Sequence, residues 1–190
     1  SVMVLYGGHT PTASSTISQE TWEWDGASWT QRFPAATPPA DDVVMVFDSV
    51  RGVCVLMTSL GATYEWDGAQ WSLRDQGQSF GLRRVAFDEA RGRTVLLVRG
   101  VNGAQPVVTM EWDGVTWQSF STVVGPLDSG LLTTMTFDGA GQRAQIYLPF
   151  LGFPTGLGWE LWHWDGSAWT SSGATATPYL SGATLTHVGA

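Results

Sequence analysis

Apolar residues in this chain come in short bursts with turn residues between them. VVMVFD spans 43–48, VCVLM 53–57, TVLLV 94–98 and AQIYL 144–148. Runs this short, rich in Val, Leu, Met and aromatics and bounded by Gly, Asp and Ser, have the length and composition of buried or half-buried β-strands. No stretch sustains a 3.6-residue apolar period over three turns, so an all-β chain without helix is expected. The pattern predicts strands at 42–48, 52–58, 61–67 and 70–75, at 83–88, 93–99, 106–113 and 116–121, and at 130–138, 143–149, 158–165 and 168–172. Three more are expected at 1–8, 17–26 and 27–33, and a last one at 181–190.

The polar positions carry a repeat. EWDGASW at 23–29 returns as EWDGAQW at 65–71, EWDGVTW at 111–117 and HWDGSAW at 163–169, with Trp24, Trp66, Trp112 and Trp164 spaced by 42, 46 and 52 residues. Asp25, Asp67, Asp113 and Asp165 each precede a Gly. Asp-Gly between strands signals a hairpin, because Gly takes positive φ without steric cost and Asp bonds its own backbone. WDGxxW therefore reads as one hairpin braced by a Trp on each strand. A second motif alternates with it: VVMVFD, RRVAFD at 83–88 and LTTMTFDG at 132–139. Four short strands per period of about 40 to 50 residues mark the blades of a β-propeller.

The ends complement each other. SVMVLYGG at 1–8 matches the second strand of a repeat, and SGATLTHVGA at 181–190 matches a first strand. The expected fold is a propeller of four blades of four antiparallel strands, closed where the C-terminal strand pairs with the N-terminal one. Blade 1 would be 1–33 plus 181–190, blade 2 41–75, blade 3 83–121 and blade 4 130–172. Half of an eight-bladed ring built by two chains, or a piece of a longer ring, are the alternatives. The start at Ser1 without Met reads as a processed or trimmed end.

The repeats resemble the kelch family of β-propellers in its bacterial form. The resemblance rests on Phe47-Asp48, Phe87-Asp88 and Phe137-Asp138, on the turns Arg51-Gly52 and Arg91-Gly92, on Tyr6-Gly7-Gly8 and on the hairpin Trp pairs. It covers the whole chain, although the diglycine occurs once. The resemblance implies a propeller that presents variable loops, in an extracellular or cell-surface setting.

Composition narrows the function. Net charge is −8 and all nine basic residues are Arg, which disfavours nucleic acid and removes lysine chemistry. Eleven Trp and 23 Gly suit a regular packed scaffold. Cys54 is the single cysteine and sits in an apolar run, so it is expected to serve as a small hydrophobe. No apolar run approaches the ~20 residues that span a bilayer as a helix.

Candidate chemistry is sparse. With the first strands of the repeats in register, Val44 and Val46, Arg84 and Ala86, Thr134 and Thr136, and Thr184 and Thr186 form a small, polar set expected to line the axis. Met45 and Phe47, Val85 and Phe87, Met135 and Phe137, and Leu185 and His187 are expected to pack between blades. Arg84, the one charge of the axial set, is expected to reach the rim or to pair with Asp42; an anion-binding role at the channel mouth is the alternative. His9, His163 and His187 fall in unrelated positions, without metal-ligand spacing. No metal, no cofactor and no catalytic residue is expected. Glu23, Glu65 and Glu111 are expected on an outer strand face, structural or solvated. What varies between repeats is their loops, where Phe33, Phe80, Phe150 and Phe153 are candidate ligand contacts. These features favour a non-enzymatic module that binds a protein or a glycan. A structural subunit of a larger, self-associating assembly is the alternative, and an enzyme acting through Arg84 and His187 a third reading.

Overall fold

The computed structural model describes residues 2–9, 16–77, 79, 83–98, 107–120, 134–152 and 156–175. Its local order begins at the WDG turns. Asp25 Oδ1 accepts the backbone N–H groups of Ala27 at 2.7 Å and Ser28 at 2.8 Å. Asp67, Asp113 and Asp165 accept the same two amides of their own turns. These bonds hold all four exposed carboxyls below the usual carboxylate range. Gly26, Gly68, Gly114 and Gly166 follow at φ of 94 to 104°, a conformation that disfavours any Cβ. The flanking indoles then meet across the hairpin, with ring centroids 5.3 to 5.5 Å apart and planes tilted by 38 to 42° in every copy.

The described strands fall into four sheets, and none of the described residues is helical. The first sheet holds β1 (Met3–Tyr6), β2 (Thr21–Trp24) and β3 (Trp29–Arg32). The second holds β4 (Val43–Asp48), β5 (Val53–Thr58), β6 (Thr63–Trp66) and β7 (Trp71–Asp75). The third holds β8 (Arg83–Asp88), β9 (Arg93–Val98), β10 (Val108–Trp112) and β11 (Trp117–Phe120). The fourth holds β12 (Thr134–Asp138), β13 (Arg143–Gly152), β14 (Gly156–Trp164) and β15 (Trp169–Thr175). Each sheet is a meander of antiparallel neighbours in chain order. The strand expected at 181–190 lies outside the described residues.

Two expectations are corrected. Residues 150–152 and 156–157, expected to lie between two strands, extend the β13–β14 ladder, with Phe150 opposite Gly158. β13 runs through Pro149, which pairs with Trp159 of β14; the described ladder to β12 ends at Tyr147, and proline is tolerated where its strand needs no N–H on one side. The division of the first strands into an axial and an inter-blade face holds only in part. Phe87 and Met135, expected to pack, are buried, but Ala86, assigned to the axis, lies in the apolar core too, and Phe47, expected to pack between blades, is more than half exposed. Both faces of a strand in a stacked sheet meet a neighbour, so residue size did not sort them.

By contacts the chain divides into two compact units: Ser1–Phe47 with Arg51–Ser79, and Asp48–Val50 with Phe80–Ala190. The first contains the first and second sheets, and its core gathers Tyr6, Cys54, Leu56, Trp66 and Trp71. The second contains the third and fourth sheets, and its core gathers Ala86, Val95, Leu97, Met135, Ala144, Ile146, Trp164 and Trp169.

The same pair of bonds joins the two sheets of each unit. In the first, Trp66 donates its indole N–H to Glu23 Oε1 at 3.0 Å, and Trp71 donates to Thr21 Oγ1 at 2.9 Å. In the second, Trp164 donates to Glu111 Oε1 at 2.5 Å, and Trp169 to Thr109 Oγ1 at 2.8 Å. A WDGxxW hairpin thus sets both indoles on a Thr-x-Glu strand of the preceding sheet.

Replacing Trp164 by Phe removes a donor from a buried carboxylate and is expected to cost about 1–3 kcal/mol in chemical denaturation. Trp24→Phe, whose indole N–H has no acceptor among the described residues, is expected to stay within about 0.5 kcal/mol. Gly166→Ala should destabilise more than Gly26→Ala. Both carry the positive-φ penalty, but a Cβ at 166 would lie 2.6 Å from Arg91 Nη1, and one at 26 meets nothing within 4 Å.

Candidate functional site

The residues singled out for binding are placed as follows. Phe33 follows β3 in the first unit and is 83% exposed. Arg84 lies on β8 opposite Leu97, half-buried, and burial lowers its pKa. Phe150 is a strand residue of β13. Phe80 and Phe153 lie outside the described residues. His9 forms an isolated bridge with Ile17. Among the described residues no group of three His, Cys, Asp or Glu side chains is arranged to hold a metal ion.

The buried carboxylates form the polar interior. Of the two roles expected of Glu23, Glu65 and Glu111, the structural one holds and the solvated one does not: all three are buried. An ionised carboxylate is buried only when it is paired, and each of these is. Glu23 Oε2 accepts Arg32 Nε at 2.8 Å and Nη2 at 2.6 Å. Glu65 accepts Arg51, and Arg74 Nε at 2.9 Å. Glu111 accepts Arg91 Nη1 at 2.6 Å, and Arg91 Nε reaches Asp88 Oδ2 at 2.9 Å. The Arg of each Arg-Gly turn is therefore the partner of the Glu before the WDG tryptophan. The chain itself carries the signal: in the fourth repeat Gly141 and Gln142 replace Arg-Gly, and His163 replaces Glu. The pair is lost together.

His163 shows what that loss does. Its ring is buried, and its Nδ1 has no hydrogen-bond partner among the described residues. Burial first, and then the nearby Arg143 charge, lower its pKa, while Asp138 opposes them.

The first unit also contains a cleft of about 580 Å³. It is lined by Val2, Met3, Val4, Trp24 and Gly26 of the first sheet and its flanks and by Met45, Val46, Phe47 and Cys54 of the second. Burial pushes the Cys54 thiol up to about 11, with Glu23 adding to the effect, so it is a poor nucleophile near neutral pH. β1 is the last described strand of its sheet on this side, where the equivalent β5, β9 and β13 each have a further neighbour. Most of its lining side chains are apolar, and among the described residues it holds no acid–base pair and borders the last strand of its sheet. Its chemistry suits an extended or apolar segment rather than a reacting substrate.

The chain matches no family model, and no curated protein matches it significantly. Among solved structures it is similar to a fucose lectin from Kordia zhangzhouensis in complex with methyl-fucoside, at 17% identity and a TM-score of 0.43, over 73% of this chain and 100% of that one.

Lowering the pH should expose the His163 defect. With its folded pKa below the unfolded value of ~6.5, the unfolded chain takes up the proton first, so stability is full above that pH and declines as pH falls toward the folded pKa. Thermal melts between pH 7.5 and 5 are expected to show this decline in the wild type and a flatter profile in His163→Leu.

Proposed function

We propose that the chain is a kelch-like β-propeller module that binds a glycan or a protein through its loops and carries out no chemistry itself. One observation carries the reading. The buried carboxylates Glu23, Glu65, Glu111 and Asp88 are all spent on Arg or Trp donors that hold strands and sheets in place. The interior is therefore a frame, and diversity between repeats is left to the connections. The propeller part of the proposal is supported by the indole linkage, which repeats in one direction, from each hairpin to the preceding sheet, inside both units. A succession of sheets joined by one directional rule is what a ring of blades requires.

Glycan-array and pull-down screens of the wild type and of Phe33→Ser with Phe153→Ser test it. At least a tenfold loss of binding, roughly the effect of removing one aromatic anchor, is expected without loss of stability. Full binding by the double variant, or turnover of a captured ligand, counts against the proposal.

A further inference from the structure

The outer face of the first sheet is built like an interface and has no described partner. Cross-strand pairing puts Met3 beside Trp24 and Trp24 beside Trp29, with Leu5 beside Trp22 on the same face. In the second sheet the same pairing puts Cys54 beside Trp66 and Trp66 beside Trp71, with Leu56 beside Tyr64. There the face is covered by the first sheet: Cys54, Leu56 and Trp71 are 6%, 0% and 6% exposed. Their counterparts Met3, Leu5 and Trp29 are 62%, 44% and 44% exposed.

Polar chemistry agrees with the apolar contrast. Trp66 and Trp71 place their indole N–H groups on Glu23 and Thr21, and Trp164 and Trp169 theirs on Glu111 and Thr109. Trp24 and Trp29 hold the same ring geometry, at 5.5 Å and 42°, yet neither N–H has an acceptor among the described residues. The donor pair is preformed, and no described residue accepts from it.

We infer that this face docks a further β-sheet of the same repeat type, one whose strand presents a Thr hydroxyl and a Glu carboxylate two residues apart. The fourth repeat does not meet that description, because Leu161 and His163 stand at its two acceptor positions. The inference rests on the indole linkage and is independent of whether the loops bind a glycan.

Fusing a copy of residues 76–121, which carries Thr109 and Glu111, ahead of Ser1 supplies such a sheet. NMR of the indole N–H groups, assigned through Trp24→Phe and Trp29→Phe, reads the outcome. In the unfused chain both resonances are expected to exchange fast with water. In the fused chain both should shift and slow by at least about tenfold, the protection expected when two exposed donors become buried and bonded. Thr109→Val with Glu111→Gln in the fused copy should abolish the change. Unmoved resonances in the fused chain overturn the inference, as does equal protection by the substituted copy. Slow exchange in the unfused chain that is lost in His163→Ala also overturns it, in favour of this chain's own fourth repeat as the partner.

Discussion

An indole N–H seated on a buried carboxylate is the contact on which the rest of the molecule depends. A carboxylate withdrawn from water is costly unless donors surround it, and here they converge from two sources. An Arg of the same sheet supplies the counter-charge, and a Trp of the following sheet supplies a directional bond. A second indole from the same hairpin lands on a Thr two residues before the Glu. Two bonds from one rigid hairpin to one strand fix the orientation of a sheet as well as its distance. The hairpin is rigid because its Asp holds two amides of the turn and its two rings pack against each other.

This arrangement explains why the repeat is so tightly spelled where it is spelled at all. Trp, Asp, Gly and Trp are each required by the hairpin, and Glu by the sheet that follows. Arg at the Arg-Gly turn is required by Glu. The fourth repeat tests the logic from inside the chain, since it loses Arg and Glu together and keeps an unpartnered His163 Nδ1 among the described residues. It even keeps the backbone of the turn without its glycine: Gln142 takes φ of 53°, beside 70° at Gly52 and 60° at Gly92.

Function follows from what the frame leaves over. Among the described residues the buried carboxylates Glu23, Glu65, Glu111 and Asp88 are committed to Arg and Trp donors, and burial keeps the Cys54 thiol of the cleft beside β1 protonated near neutral pH. Variation is left to the connections between strands, and docking capacity to the edge and outer face of the first sheet.

Much of the architecture was legible in the residues because it is local. Short apolar runs, Asp-Gly turns and paired tryptophans act within a few residues of themselves, so strands such as Val43–Asp48 and Val53–Thr58 and the role of each turn Asp follow from the order of the chain. What tertiary structure decided concerns groups whose neighbours are distant in sequence. Glu23 is buried because Trp66, 43 residues on, covers and bonds it; Ala86 belongs to a core because the fourth sheet packs on it; β13 runs past Pro149 because its ladder to β14 continues there. The chain alone determined which hairpins form. Only packing determined which faces they cover, because burial and the partner of a charge are properties of two sheets together and are written in neither one.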